Sequence, residues 1–154
     1  NKSMSNLNSS SSGINYGSEA LNKIVSRLES TKEAKKRYEY VLWLAKKLPP
    51  IPKDIHDEKI KVKGCISQVY IVGKLTNGKI NWHGESDALI TKGLLALLIQ
   101  GLNNLTPDET LGIDPIFIKA TGLNSSLTPS RANGFMNIFL SMKSQARQLK
   151  MEII

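Results

Sequence analysis

Cys65, the single cysteine of this 154-residue chain, is the side chain best suited to covalent chemistry. It stands in the run Val62-Lys63-Gly64-Cys65-Ile66-Ser67-Gln68-Val69, directly after a glycine and at the opening of the most strand-like stretch. A thiol is nucleophilic as the thiolate, and cationic neighbours favour that form. Lys53, Lys59, Lys61 and Lys63 precede Cys65 closely and are expected to lower its pKa. With no second cysteine in the chain, a sulfur species carried on Cys65 meets no internal thiol that could resolve it into a disulfide. The competing reading is a small buried hydrophobe, a common use of a free cysteine.

Other side chains gather around this candidate. Gly64 supplies either a hinge for the cysteine loop or a plain turn, since it carries no Cβ. Arg131 follows Thr128-Pro129-Ser130 at the start of a helix, where a positive charge opposes the helix dipole. It is therefore expected to serve a nearby anion or carbonyl, and to lie beside the Cys65 loop. Asp87, near another helix start, suits the dipole there, with restraint of the loop as the alternative. Gln68 is assigned to holding the loop, while Ser67 and His83 read as structural. His56 and His83 are far apart and, with one Cys, form no metal-ligand spacing, so no metal site and no cofactor are expected.

The composition bounds what these residues can belong to. With 40% hydrophobic residues, a chain of this length can bury one core, and one cysteine excludes a disulfide framework. The net charge of +8 is uneven: residues 1–64 hold 13 Lys/Arg against 7 Asp/Glu, residues 65–154 hold 8 against 6. Such a bias steers a protein toward acidic partners or nucleic acid. No glycine/aromatic RNA-binding motif accompanies the lysines, so a solvated basic face is the simpler reading and nucleic acid is not expected as a partner. No apolar run reaches the length of about 18 residues that a membrane span needs. Residues 1–17, with Ser9-Ser10-Ser11-Ser12-Gly13, are expected to be a disordered tail. Starting at Asn1 and rich in Asn and Ser, this tail is compatible with the remnant of an organelle-targeting leader or with a tag-like or natural extension. Residues 18–154 form a single domain.

The elements that must position Cys65 follow from periodicity. Ser18 caps a helix carrying Leu21, Ile24, Val25 and Leu28 at helical spacing. Thr31 is expected to cap a second, with Ala34, Tyr38, Val41, Leu42, Ala45 and Leu48 as its apolar stripe, ended by Pro49-Pro50. An extended piece at 60–63 offers a possible third strand beside a hairpin. Ser67 to Leu75 and Lys79 to His83 are its strands, and Asn77-Gly78 its turn. Ser86 is expected to cap a long apolar helix reaching about Gln100. Thr106-Pro107-Asp108-Glu109 is a capping box, Asp114-Pro115 opens a short helix closed near Gly122, and Thr128-Pro129 opens the last helix. Two helices, a small antiparallel sheet and several further helices make an α+β domain.

Three local patterns stand in order along this framework. They are Leu48-Pro49-Pro50 followed by Gly64-Cys65-Ile66-Ser67-Gln68-Val69; Gly84-Glu85-Ser86-Asp87-Ala88 with Lys92-Gly93-Leu94; and Leu127-Thr128-Pro129-Ser130-Arg131. Together, over roughly residues 18–150, they resemble the SufE family of sulfur acceptors. The resemblance implies a SufE/NifU-like fold, a small antiparallel sheet packed with helices. It implies a pyridoxal-phosphate cysteine desulfurase of the SufS type as partner, with Cys65 taking the outer sulfur of the desulfurase persulfide and passing it to an iron–sulfur scaffold. In that pattern the arginine lies near the cysteine loop, where its charge can stabilise a thiolate or persulfide anion. Thiolate attack on a sulfane sulfur follows the displacement logic of thiol–disulfide exchange. Such a loop is expected to shelter Cys65 against the apolar side chains of the hairpin, which protects a carried persulfide from oxidation.

The reading is thus a persulfide carrier and desulfurase activator rather than a stand-alone enzyme. The rivals are an iron–sulfur scaffold, disfavoured by the single cysteine; a basic nucleic-acid-binding module; and a structural adaptor with Cys65 in its core. The expected compartment is a plastid-type organelle, chloroplast or apicoplast, with a bacterial cytoplasm as the alternative.

Overall fold

The structure, a computed structural model, describes residues 13–51, 60–65 and 67–153. Helix α1 (Glu19–Ser30) starts at Ser18, whose hydroxyl oxygen accepts the Leu21 N–H at 3.2 Å and whose O–H donates to the Gly101 carbonyl at 2.7 Å. Leu21, Ile24, Val25 and Leu28 face the core, as their spacing predicts. Tyr16, within the expected tail, is also buried, its N–H bonded to the Asn22 side chain at 2.7 Å. Residues 1–12 of that tail lie outside the described residues, as do Lys53, His56, Lys59 and Ile66.

Helix α2 (Ala34–Ala45) departs from expectation twice. Its N-cap is Glu33, without a side-chain bond. Thr31 instead closes α1, its N–H reaching the Leu28 carbonyl and its hydroxyl the Arg27 carbonyl. The buried stripe is also rotated: Val41, Leu44, Ala45 and then Leu48 face inward, Tyr38 is exposed, and Ala34 and Leu42 are only half-buried. The cause is tertiary. In α3 (Leu89–Leu102), Gly93 crosses α2 so closely that a Cβ there would lie 2.2 Å from the Val41 carbonyl oxygen. That crossing sets the phase of α2.

Strands β1 (Val69–Thr76) and β2 (Lys79–Ser86) pair antiparallel in register from Val69↔Ser86 to Thr76↔Lys79. Asn77 and Gly78 turn the chain at φ 53° and 79°. Ile80 and Trp82 share the buried face. The possible third strand reduces, among the described residues, to one bridge between Lys61 and Tyr70, with the Val62 N–H on the Val69 carbonyl at 2.7 Å. Because β2 runs through Ser86, that residue does not cap α3. Ala88 does, without a side-chain bond, and the Ser86 hydroxyl only accepts the Ala88 N–H at 3.3 Å.

Helix α3 is buried on nearly every side and forms the axis of the core. Helix α4 (Pro107–Leu111) carries the complete Thr106/Glu109 capping box, and α5 (Ile116–Ala120) is closed at Gly122 with φ 71°. Helix α6 (Pro129–Ile153) buries Gly134, Phe135, Ile138, Phe139, Met142 and Ala146, while Ala132, Met136 and Leu149 are half-buried. Phe139 meets Phe117 edge to face at 5.1 Å. α1, α2, β2 and α6 pack around α3, and α6 also lies along β1. There the Gln145 side chain accepts the Gly73 N–H at 3.0 Å and donates to the Ile71 carbonyl at 2.7 Å, covering the edge of β1. The architecture is the expected α+β arrangement of a small antiparallel sheet on helices. Among the described residues no helix is long and apolar enough to cross a membrane.

Candidate functional site

Cys65 stands just ahead of β1, and its loop lies along the first two turns of α6. Three residues of one helix face, spaced three apart, meet it in order. Arg131 donates through Nη1 to the Ser67 hydroxyl. Gly134 presents its carbonyl oxygen 3.8 Å from the Cys65 Sγ, a weak S–H···O contact. Asn137 donates through Nδ2 to the Gly64 carbonyl at 3.0 Å. Gly64 sits at φ 81°, in the left-handed region, and a Cβ there would come within 2.6 Å of that same Nδ2. Backbone conformation and packing both require glycine at this position.

The far end of the loop is held by the hairpin's exit. The Asp87 carboxylate accepts the Gln68 N–H at 3.0 Å, and the Asp87 N–H reaches the Gln68 carbonyl at 3.3 Å. Arg131 also donates to the Thr91 hydroxyl at 2.8 Å, tying loop, α3 and α6 through one guanidinium. Thr91 is itself buried. The start of α6 is fixed by the Thr128 hydroxyl, which accepts the Arg131 N–H at 3.3 Å.

Cys65 is half-buried and packs against the core. Burial pushes its thiol above the ordinary value, and the Arg131 charge pulls it part of the way back. The expected lowering by lysines is therefore corrected: desolvation outweighs the cationic field while the loop is seated. The sulfur also rests on the backbone of α6 at Gly134, a contact that the expected packing against the hairpin did not include.

The structure brings Cys65, Gly64, Arg131, Gln68 and Asp87 into one site. Gln68 takes part through its backbone, its side chain being exposed, and Asp87 meets the loop rather than capping α3. Ser67, read as structural, is an Arg131 partner. His83 lies on β2 away from these contacts. Sequence reasoning missed Thr91, Gly134 and Asn137. The i, i+3, i+6 spacing of Arg131, Gly134 and Asn137 was the available signal, concealed because Gly134 fell within an otherwise apolar stripe. Among the described residues no group of three or more His, Cys, Asp or Glu could hold a metal ion.

The family model SufE, described as an Fe–S metabolism associated domain, matches residues 22–146, which span this whole site. The chain belongs to the SufE family. A SufE-like protein of Synechocystis sp. is 55% identical over 126 residues, 82% of this chain and 79% of that protein. The chloroplastic/mitochondrial SufE-like protein 1 of Arabidopsis thaliana is 35% identical over 86% of this chain and 36% of its own length. The cysteine desulfuration protein SufE of Plasmodium vivax is 41% identical over 68% of this chain and 43% of its own length. The chain thus spans less than half of the plant and Plasmodium SufE proteins. A hypothetical protein from Thermus thermophilus, solved in solution, superposes with a TM-score of 0.76 over 87% of this chain and 98% of that one, and at 24% identity it shares the fold. Membership of the SufE family places the protein in Fe–S metabolism.

Proposed function

We propose that this protein accepts sulfur on Cys65 from a pyridoxal-phosphate cysteine desulfurase and delivers it to an iron–sulfur scaffold, stimulating the desulfurase by removing its product. The observation that carries the reading is the seating of the chain's one thiol on a loop clasped at both ends and faced by a guanidinium. The naming of Plasmodium relatives as cysteine desulfuration proteins supports it. In the transfer, the Cys65 thiolate attacks the outer sulfur of the desulfurase persulfide. A new S–S bond forms on Cys65, the old one breaks, and the desulfurase cysteine leaves as thiolate and takes up the proton that Cys65 released. No external oxidant or reductant enters. Arg131 stabilises the anionic sulfur and orders the loop; Gly64, Gln68 and Asp87 hold the loop's shape. A plastid-type organelle is the compartment this reading favours, supported by the chloroplastic/mitochondrial Arabidopsis thaliana relative.

The test is direct. The protein is incubated with a cysteine desulfurase and cysteine, then weighed intact. Wild type gains mass in steps of one sulfur atom and Cys65→Ser gains none, with its far-ultraviolet spectrum unchanged. A wild-type chain that stays at its original mass, or a Ser variant that still stimulates the desulfurase fully, overturns the proposal.

A further inference from the structure

We propose that Asn137 is the positioning residue that keeps Cys65 seated on α6, and that breaking its bond to Gly64 is the step that frees the thiol for transfer. The inference rests on the sulfur-acceptor reading for its consequence in transfer, but the latch itself can be read without any desulfurase.

The geometry sets the roles apart. Of the three α6 residues that face the loop, Arg131 binds Ser67 on the β1 side of Cys65, and Gly134 offers only a weak carbonyl contact to the sulfur. Asn137 is the one of the three that grips the chain on the other side, at the Gly64 carbonyl. Gly64 is the residue whose positive φ gives the backbone its bend just before Cys65, and it lies in van der Waals reach of the Asn137 amide. The bond is solvent-exposed, so water can replace it when the loop lifts. On the β1 side the chain remains tethered by Arg131–Ser67 and by the Asp87–Gln68 pair. Upstream of Gly64 the chain is tethered to β1 as well, by the Val62 N–H on the Val69 carbonyl at 2.7 Å, so what lifts when the Asn137 bond breaks is the short bend carrying Gly64 and Cys65, between the Val62 and Ser67 anchors. Opening also moves the thiol out of the burial that holds its proton, so access and thiolate formation come together. A partner that binds the open loop works against the closed fraction, and its apparent affinity falls by that fraction.

The experiment is the rate of Cys65 alkylation by iodoacetamide in the native chain, followed by intact mass across pH, for wild type, Asn137→Ala, Asn137→Asp and Asn137→Gln. Loss of one exposed hydrogen bond is expected to raise the plateau rate roughly two- to tenfold in the Ala variant. The Asp variant, which places a carboxylate against the Gly64 carbonyl, opens further. The Gln variant, which retains the amide donor, returns toward wild type. Gln145→Ala is the control: it removes another amide clasp of the same helix, on β1 rather than on the loop, and leaves the rate unchanged. With a desulfurase present, Asn137→Ala reaches half-maximal stimulation at lower concentration. An Ala variant that alkylates at the wild-type rate overturns the proposal. So does a Gln145→Ala variant that accelerates equally, since α6 would then be loosening as a whole. Failure of wild type to gain sulfur from the desulfurase defeats the acceptor reading alone and leaves the alkylation result standing.

Discussion

At Cys65 two influences oppose each other, and their balance decides when the thiol can react. Burial against α6 favours the protonated form, and Arg131 favours the anion by the lesser amount. The folded chain thus holds the thiol proton more tightly than the unfolded chain. The stabilisation this brings is fully present below the ordinary thiol pKa and is lost as pH rises through the raised one. Arg131→Ala removes the compensating charge while Asn137 and Asp87 still hold the loop. The midpoint of the alkylation profile should move further up, and sulfur acceptance should slow without being abolished. Arg131→Lys should restore the midpoint more than the transfer rate. A lysine keeps the charge, but its side chain is shorter and has no counterpart of Nη1, the one nitrogen that donates to both the Ser67 and the Thr91 hydroxyl. An Ala variant with an unchanged midpoint and unchanged transfer would show that the guanidinium acts on neither the sulfur nor the loop.

At the scale of elements, the site depends on helices whose spacing is fixed by backbone contact. The α2–α3 crossing is the clearest case, with Gly93 against the Val41 carbonyl. On helix propensity alone, Gly93→Ala would favour the folded state by about 1 kcal/mol. The methyl group would instead meet backbone that cannot rotate away, and the helices must part. Net destabilisation of roughly 1–3 kcal/mol is expected, read as a lower urea midpoint at unchanged slope. A variant as stable as wild type would mean the crossing is looser than its geometry implies. The same crossing explains why parts of this fold were readable and parts were not. α1, the Asn77-Gly78 turn and the Thr106/Glu109 box follow from neighbours in sequence, and each stands where local chemistry puts it. Thr31, Ser86 and the phase of α2 were misread because their hydroxyls and stripe have local alternatives that only tertiary packing decides. Cys65 and Arg131 stood out in the sequence as a lone thiol and a charge out of place on its helix. Asn137 and Thr91 did not, since each is defined by a partner remote in sequence.

At the scale of the whole molecule, the excess charge extends well beyond the Cys65 site. Basic residues concentrate in residues 1–64, and on α1 and α2 they meet aromatic rings, that of Trp43 exposed. The Arg27 guanidinium lies 4.7 Å from the Tyr40 ring centre, Tyr40 stacks on Trp43 at 5.8 Å, and the Lys47 ammonium lies 4.3 Å from the Trp43 ring. A basic surface carrying an exposed tryptophan is what a single-stranded nucleic acid would use, by stacking bases on free ring faces. Here each ring already carries a cation of the same chain and stacks on its aromatic neighbour. A base would have to displace these partners before it could stack. A single-stranded oligonucleotide should therefore bind weakly, lose that binding steeply as salt rises, and leave Trp43 fluorescence unperturbed. Trp43→Ala should bind it as wild type does. If the substitution instead weakened binding by the roughly 1–3 kcal/mol that a stacked base contributes, the rings would be a nucleic-acid platform after all, and the net charge of +8 would need a second function to explain it.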